Sequence, residues 1–440
     1  MSFKDLGLSD PILRALKKLD HTKPSEIQLK AIPLILEGKS IMASAQTGSG
    51  KTAGFVLPIL EQLKSIHAPK SKNINVLILT PTRELASQIQ DSVMRYGTFM
   101  SKSSAAIFGG AKIFPQKNKL KAGVDILVAT PGRLLDLVGQ KAVFLDQVKI
   151  LVLDEADRML DMGFLQDIKK IINKLPSERQ SLMFSATFSA EIKSLAKDLS
   201  SELVEVMTSK SNETVESITQ KVYAVDKEAK PALLGHLINE YGWNQVLVFS
   251  RTKHGTEKIA KKLKSYDIEA ITIHGDKSQG ARTRALKDFK TLKAQVLVAT
   301  DVAARGIDIA NLPFVVNFDL PAYPNDYVHR IGRTGRAGKE GIAVSFMSAE
   351  ERGYLREINH LTKLSLEAEI VEGFKPTFDP NKPKESKKPK KSKFNRFKKK
   401  TFETKKERTK SSRKPKKTFE TKKDKKKEGA KSSRKPQKAK

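Results

Sequence analysis

The chain has 440 residues, enough for two or three domains, and carries 82 lysine and arginine residues against 49 acidic ones. It has no cysteine, which excludes disulfide bonds and thiolate metal sites, and its first residues lack the basic and then apolar pattern of a secretory signal. No run approaches the about 18 apolar residues of a membrane span, so we expect a soluble, cytoplasmic protein. The excess of basic residues indicates a polyanionic partner.

The first predicted elements surround a glycine-rich turn. The segment KSIMAS (39–44) predicts a strand and TAGFVLPILEQL (52–63) predicts a helix, with AQTGSGKT (45–52) between them. A strand, a glycine-rich loop and a helix form the context in which proteins bind nucleotide phosphates.

Residue types within this turn suit a phosphate. Gly48 and Gly50 let backbone N–H groups face it, while Lys51 adds a cation for the β and γ phosphates. Thr52 offers a hydroxyl to Mg²⁺. The pattern matches a P-loop if Ala45 takes the place of the first glycine, and it then predicts an ATP-type site.

Short apolar runs rich in valine, isoleucine and leucine follow in two series. Continuous apolarity is typical of strands covered on both faces, so each series predicts a parallel sheet with crossover helices. The runs are VLILT (76–80), DILVAT (125–130), ILVLD (150–154) and SLMFSAT (181–187), then VLVFS (246–250), AITIHG (270–275), QVLVAT (295–300), FVVNFD (314–319) and AVSFM (343–347).

The run at 150–154 ends in three carboxylates, those of Asp154, Glu155 and Asp157. Burying such charge is costly unless it is paired or holds a cation, so these residues should lie at the strand's end and face a metal ion. We expect Asp154 to hold the nucleotide's Mg²⁺, through water, and Glu155 to orient or deprotonate the attacking water.

The two series predict an α/β protein with two domains of related build, because DILVATPGRLLD (125–136) resembles QVLVATDVAARGID (295–308). We expect domains over residues 1–208 and 218–374, joined by a polar linker at 209–217. Residues 375–440 hold 30 of the basic residues and 7 of the acidic ones, with almost no aliphatic residues, and predict a disordered tail.

Several segments together resemble the DEAD-box ATP-dependent RNA helicases. They are PTRELA (81–86), TPGR (130–133), DEAD (154–157), SAT (185–187) and HRIGRTGRAG (329–338), in the order and spacing of that family. The likeness covers roughly residues 3–350 and implies two tandem RecA-like domains, with ATP and Mg²⁺ as cofactors and RNA as the partner. HGDKSQGAR (274–282) and the basic tail look most like the bacterial RhlE-type subgroup.

The resemblance implies further residues around the nucleotide. Gln28 would hydrogen-bond the adenine edge and Asp308 the ribose. The family has a glycine and an aromatic residue where this chain has Asp20 and His21, so His21 would stack on adenine more weakly. The whole implied nucleotide site is His21, Gln28, Ala45, Gln46, Thr47, Gly48, Ser49, Gly50, Lys51, Thr52 and Asp308.

The resemblance also implies contacts from the second domain. Arg333 and Arg336 would reach the γ-phosphate across the cleft as arginine fingers, so hydrolysis would require closed domains. His329 would link to the DEAD and SAT segments, and Asp157, Ser185 and Thr187 would couple the nucleotide state to closure.

RNA contacts are expected at strand ends and helix starts in both domains. Backbone N–H groups, hydroxyls and arginines there suit phosphate and ribose and carry little base information. The expected residues are Pro81, Thr82, Arg83, Gly109, Gly110, Thr130, Pro131, Gly132, Arg133, Arg251, Gly275, Arg282, Thr300 and Arg305. The lysines of the tail would add a non-specific contact, with stacking by Phe394, Phe397, Phe402 and Phe419.

Three functions remain open on the sequence. The leading one is local unwinding of short RNA duplexes by ATP hydrolysis; the others are an RNA chaperone or clamp that ATP only switches, and a DNA translocase. Ribosomal precursors and RNA-turnover proteins, and hence a task in ribosome assembly, are suggested by the resemblance alone.

Overall fold

The computed structural model describes residues 1–44, 49–200, 202–208, 218–304, 309, 312–335 and 341–380. Two sheets of seven strands form its framework, each covered by helices on both faces. Every pairing that the described strands make within these sheets is parallel.

The first sheet contains strands β1 to β7 in the order β3-β4-β2-β5-β6-β1-β7. The strands are β1 Ile41–Ser44, β2 Ile74–Leu79, β3 Ser104–Ile107, β4 Val124–Ala129, β5 Ile150–Leu153, β6 Gln180–Ser185 and β7 Val204–Met207. Alternate residues of the central strands enter opposite cores: Ile150 and Val152 of β5 pack on one side, Leu151 and Leu153 on the other. The apolar run predicts this arrangement because both faces need apolar cover.

Helices of the first domain follow most strands. They are α1 Asp10–Lys18, α2 Glu26–Leu36, α3 Lys51–Leu63, α4 Arg83–Tyr96, α5 Ile113–Leu120, α6 Pro131–Gly139, α7 Ala156–Asp161, α8 Leu165–Ile172 and α9 Ala190–Leu199, preceded by a 3₁₀ turn at Phe3–Leu6. Side chains with oxygen acceptors begin several of them. Thr82 caps α4 by accepting from the Leu85 N–H at 3.3 Å, and Ser189 caps α9 in the same way.

The second sheet has the order β10-β11-β9-β12-β13-β8-β14. Its strands are β8 Ile218–Ala224, β9 Val246–Phe249, β10 Ala270–Ile273, β11 Val296–Ala299, β12 Phe314–Asn317, β13 Gly341–Met347 and β14 Ala368–Glu369. Its helices are α10 Lys230–Glu240, α11 Lys253–Lys264, α12 Gln279–Lys290, α13 Asp301–Ala304, α14 Pro324–Ile331 and α15 Arg352–Thr362, with a 3₁₀ turn at Ala349–Glu351. Counted from its own first strand, the second sheet has the same strand order as the first over all seven strands, which confirms two domains of related build.

The second domain extends beyond the boundary that composition predicts. Thr377 donates both its N–H and its hydroxyl to the Asp226 carboxylate, each at 2.9 Å. The Phe378 ring lies under the guanidinium of Arg352. Residues 375–380 therefore contact the domain, although their composition predicts a place in the tail. Composition misses this contact because one aromatic residue has little weight in an average over a basic segment.

Residues 209–217, the expected linker, and 381–440 lie outside the described residues. Both sheets belong to one compact unit of the chain. Within the described residues, no helix is both long enough and apolar enough to cross a membrane.

Candidate nucleotide and RNA sites

The first residues of α2 contact the end of the glycine-rich turn. Gln28 donates from Nε2 to the Gly50 carbonyl at 3.0 Å and accepts from the Ser25 N–H at 3.0 Å. Gly50 has a left-handed φ of +90°, and a Cβ there would collide with the Gln28 amide. The Gln28 amide retains one N–H and one acceptor lone pair, the combination that an adenine edge requires.

The cationic and acidic groups of the site lie at the carboxyl ends of β1 and β5. Lys51 begins α3 and is buried, as is Asp154, which accepts from the Glu155 N–H at 3.0 Å. Burial is the main cause that raises the pKa of Asp154 to about 7; the charge of Lys51 opposes it, and Glu155 and Asp157 add to it. Lys51 and Asp154 are therefore close enough to interact electrostatically.

Glu155 has an uncommon backbone conformation. Its φ of 53° and ψ of 51° are left-handed, and α7 starts with the next residue. Such conformations cost free energy in residues other than glycine and are concentrated at functional sites. The turn places Glu155 at the strand end beside Asp154, as the sequence predicts.

The DEAD and SAT segments are joined by a hydrogen bond. Asp157 accepts from the Ala186 N–H at 3.1 Å, and Ser185 accepts from the Thr187 N–H at 3.4 Å. Ser185 is also paired with Ser44, since β1 and β6 are neighbours. The end of β5 and the SAT segment are therefore in direct contact.

Residues of both domains meet around α14. Arg158 of α7 forms a buried ion pair with Asp326 of α14. Arg158, Asp326, His329 and Arg333 line one narrow cavity. Two of the predicted cross-domain residues, His329 and Arg333, are therefore brought to the interface between the domains.

Some predicted positions lie outside the described residues. They are Ala45, Gln46, Thr47, Gly48, Arg305, Asp308 and Arg336. Ser49 and Thr52 are described and flank Lys51 closely in the chain, each half-buried.

A second cleft, of about 410 Å³, lies between the domains and collects most of the predicted RNA residues. Those that line it are Pro81, Thr82, Arg83, Gly109, Thr130, Gly132, Arg133, Gly275 and Arg282. The starts of α4, α6 and α12 supply many of them, and helix starts present unpaired N–H groups to anions. Gly110 and Pro131 adjoin lining residues, whereas Arg251 and Thr300 are not part of the lining.

Two arginines of the cleft lie against the backbone next to the glycine pair Gly109–Gly110. Gly110 has a φ of +69°, and a Cβ at this position would collide with the Arg83 guanidinium, so only glycine fits without displacing Arg83. Arg133 donates to the Ala111 carbonyl at 3.2 and 3.3 Å. Both guanidiniums are thereby held beside the glycine pair.

Arg282 and Arg251 have partners that the sequence does not reveal. Arg282 pairs with Glu84 across the interface at 3.1 Å, with both side chains buried. Arg251 lies 3.6 Å from Glu351, and its N–H donates to Asp319. Arg282 therefore joins the domains as well as lining the cleft.

Two further features of these sites were missed by reasoning from the sequence. Arg330 binds Asp301 through two bonds of 2.5 and 2.6 Å and fixes α14, which carries His329, to the start of α13. Met162 and Phe164 add an apolar wall to the RNA cleft. Arg330 lies within the HRIGRTGRAG segment, and its place in that segment is the sequence feature that could have indicated its role. Nothing in the sequence distinguishes Met162 and Phe164 from other apolar residues.

His21 lies between α1 and the end of α4. Its Nε2 is 3.3 Å from the Tyr96 hydroxyl, and the two rings are tilted by 42°. Burial and the nearby Arg95 lower the pKa of His21. The imidazole is therefore mostly neutral near pH 7.

Comparison with known proteins agrees with this geometry. The family described as DEAD/DEAH box helicase matches residues 25–195, and the helicase conserved C-terminal domain matches 229–338. The chain is 42% identical over 367 residues to the ATP-dependent RNA helicase CshA of Limosilactobacillus reuteri, covering 83% of this chain and 73% of that protein. The chain belongs to the DEAD-box family of ATP-dependent RNA helicases. CshA of Bacillus subtilis is similarly related, at 40% identity over 83% of this chain and 74% of that protein.

Solved structures of DEAD-box proteins share the two-domain fold. The helicase Mss116 bound to single-stranded RNA and UDP-BeF matches with a TM-score of 0.77 and 30% identity, covering 84% of this chain and 79% of that chain. Dbp5 of S. cerevisiae bound to RNA and ADP BeF3 matches with a TM-score of 0.75 and 33% identity, covering 84% and 95%. The fold is therefore that of tandem RecA-like domains, as predicted. The RhlE-type subgroup stays a prediction.

The residues present suit Mg²⁺ bound with a nucleotide. The buried carboxylate of Asp154 and the hydroxyl of Thr52 are the hard oxygen ligands that Mg²⁺ prefers. Nowhere in the described ranges do three or more histidine and acidic residues form a cluster that could hold a metal alone. Proteins bind Mg²⁺ through one or two carboxylates together with the substrate's phosphates.

Proposed function

We propose that this DEAD-box protein hydrolyses ATP in response to RNA and uses the resulting domain movements to separate short duplexes locally. One observation carries the proposal. Lys51, Asp154 and Glu155 lie together at the carboxyl ends of the strands of the first sheet. The second domain contributes Asp326, His329 and Arg333 to the interface there, and Asp326 pairs with Arg158 of the first domain. A nucleotide held at that edge would touch both domains.

Each residue of the first domain has a task that its chemistry supports. Lys51 would neutralise the β and γ phosphates, and Thr52 and Asp154 would hold Mg²⁺. Glu155 would orient the attacking water and accept its proton. Mg²⁺, when bound, would offset negative charge on the phosphate oxygens. Gln28 would select adenine through its remaining N–H and lone pair.

The second domain would complete the site only when the domains are in contact. Arg333, with Arg336, would stabilise negative charge on the transferred phosphoryl group. Asp157, Ser185, Thr187 and His329 would transmit the nucleotide state, because the Asp157–Ala186 hydrogen bond connects the strand end to the SAT segment.

RNA would bind in the cleft of about 410 Å³. Its arginines and helix starts suit phosphate and ribose, which supports binding without sequence preference. If the cleft holds a bent single strand only when the domains are together, closure by ATP would favour strand separation, since a ligand shifts an equilibrium only by its differential affinity.

The tail, the partners and the location complete the proposal. The basic residues of 381–440 would add a salt-dependent, non-specific RNA contact. Ribosomal precursors and RNA-turnover proteins and a task in ribosome assembly stay predictions that rest on the family resemblance, and a cytoplasmic location stays a prediction from the sequence.

The test is steady-state ATP hydrolysis by the full chain, alone and with single-stranded RNA or DNA of one sequence. Glu155→Gln serves as the blank, and exposed Glu178→Gln as the matched control for loss of a carboxylate elsewhere. We expect strong stimulation by RNA alone, and we expect the blank to lose turnover by about 100-fold or more, the usual contribution of a positioned base.

The alternatives give other results in this assay or in a strand-separation assay with a short labelled duplex. Equal stimulation by DNA would indicate a DNA translocase. Stimulation by RNA without separation of a short labelled duplex would indicate a clamp. Normal turnover in Glu155→Gln would remove Glu155 from its assigned role.

A further inference from the structure

One face of α5 presents an aromatic side chain among basic ones. Phe114, Lys117 and Asn118 of α5 and its C-cap residue Lys121 lie at the spacing i, i+3, i+4 and i+7, so they share one side of the helix, called here the α5 face. Phe114 is 70% exposed, and Asn118 and Lys121 are also exposed. Single exposed aromatics are common on proteins, so the position of this one must carry the argument.

The packing of α5 does not need Phe114. The opposite side of the helix holds the buried residues Gln116 and Leu120. Gln116 accepts from the Phe108 N–H at 2.9 Å and donates to the Phe108 carbonyl at 3.2 Å, which fixes the helix to the end of β3. Phe114 therefore keeps its apolar surface available for a partner.

The chain segment that contains α5 carries charge of one sign. Between Asp91 and Asp125 the sequence has no acidic residue and six basic ones. Lys112, directly before the helix, is exposed, as is Lys119. Lysines interleaved with an aromatic ring match a nucleic acid strand, which offers phosphates and stackable bases together.

The α5 face continues from the RNA cleft. Gly109 lines the cleft, and Gly110 lies against the cleft arginine Arg83. Arg133, also of the lining, donates to the carbonyl of Ala111, two residues before α5 begins. A strand that leaves the cleft past the glycine pair thus meets the α5 face next.

We propose that the α5 face binds the RNA segment that leaves the cleft, with a base stacked on Phe114 and phosphates near Lys117 and Lys121. This inference rests on the proposed function, since it lengthens the RNA path described there. RNA is favoured over a protein partner because the face joins the cleft directly and lacks acidic residues. The face would raise affinity for strands longer than the cleft can hold.

The experiment measures RNA affinity of the full chain by fluorescence anisotropy with a non-hydrolysable ATP analogue. One oligonucleotide only fills the cleft; others carry an extension on the 5′ or the 3′ side, either with bases or abasic. The parent should bind one base-bearing extension about fivefold more tightly than its abasic counterpart, from stacking of one base. Phe114→Ala should abolish this ratio, and Phe114→Trp should keep it.

The lysines have a separate readout. Lys117→Gln combined with Lys121→Gln should reduce the salt dependence of binding to extended RNA by about 0.7 for each phosphate that the two lysines neutralise, while the ratio of base-bearing to abasic RNA persists. Tyr241→Ala removes a similarly exposed aromatic that does not line the cleft, and it should leave the ratio unchanged.

The outcomes separate this inference from the proposed function. If RNA stimulates ATP hydrolysis but extensions add nothing, or if Phe114→Ala retains the ratio, the inference fails alone, and the α5 face is left for a protein partner or none. If the parent binds neither short nor extended RNA, the proposed function and the inference fall together.

Discussion

Arg158 and Asp326 form an ion pair between the two domains, and both side chains are almost removed from solvent, at 4% and 10% exposure. Burial alone would lower the pKa of Arg158, but the carboxylates of Asp326 and Asp157 outweigh it and raise that pKa. Each charge loses water when the domains meet and would be costly to bury without its partner. The pair therefore makes closure depend on both residues.

We expect Asp326→Asn to weaken domain closure by about 3 kcal/mol, because removal of one partner leaves the other charge buried and uncompensated. Affinity for RNA in the presence of a non-hydrolysable ATP analogue should fall by roughly 100-fold, and RNA-stimulated turnover should fall with it. Anisotropy titration and steady-state hydrolysis measure the two effects.

Asp161 offers a matched control for this prediction. It also contacts Arg158, at 3.2 Å, but its side chain is 58% exposed. Asp161→Asn should therefore have little effect, since exposed ion pairs contribute about 1 kcal/mol or less. Equal reductions in the two variants would show that burial of the Asp326 pair does not govern closure.

The double variant Arg158→Met, Asp326→Leu should recover part of the affinity for RNA that Asp326→Asn loses, because neither charge is then buried without its partner.

The central strands could be predicted because both their faces are buried, which requires continuous apolar runs such as ILVL and VLVF. The edge strands of the first sheet could not: β3 has the sequence SAAI, and β7 exposes three of its four residues. The apolar run AITIHG (270–275) did predict β10, which lies at one edge of the second sheet. The P-loop residues Gly50 and Lys51 follow one another in the chain, so their motif is visible. The pairs Arg158–Asp326 and Glu84–Arg282 join residues far apart in sequence, and only domain contact reveals them.

His21 supplies a prediction about nucleotide affinity. An imidazole presents less aromatic surface than a phenyl ring, so His21→Phe should tighten ADP binding by about three- to tenfold, the usual range for an aromatic pair. Because burial and Arg95 lower the pKa of His21, the parent is neutral above pH 7, and the gain should not vary with pH there. Calorimetric titration of ADP at pH 7 and pH 8 measures it.

His21→Ala is the companion variant, and it should bind ADP more weakly than the parent. If neither variant changes ADP affinity, the side chain at this position does not touch the nucleobase. Its pairing with Tyr96 would then give the residue a structural role between α1 and α4.

The ionised carboxylate of Glu257 should make the stability of the fold depend on pH. Its carboxylate accepts from Lys277 at 2.8 Å, His274 at 2.7 Å and Thr272 at 2.8 Å. The bond from Lys277 is the main cause that lowers the pKa of Glu257 to about 2, with His274 and Thr272 adding to it against burial. The depressed pKa means that ionised Glu257 stabilises the fold above its unfolded pKa, and that this contribution disappears as the pH falls through the folded pKa.

We expect Glu257→Gln to reduce the free energy of unfolding by about 1 kcal/mol at neutral pH, a small value because the side chain is half exposed and screened by water. The difference from the parent should be constant down to about pH 4.5 and should shrink towards pH 2. Urea unfolding across this range measures it, with Glu178→Gln as control. A difference that grows on acidification would contradict the assignment.

The tail predicts a change in salt dependence that can be separated from damage to the fold. Deletion of residues 381–440 removes most of the tail's basic residues and leaves Thr377 and Phe378 bound to the second domain. The slope of log affinity against log salt should become shallower by about 0.7 for every phosphate of single-stranded RNA that the tail neutralises. Deletion from residue 375 should produce the same slope but also a lower melting temperature, because it removes both anchors. A slope that is unchanged by the shorter deletion would show that the tail does not bind RNA. A melting temperature that is unchanged by the longer deletion would show that the contacts with Asp226 and Arg352 do not stabilise the second domain.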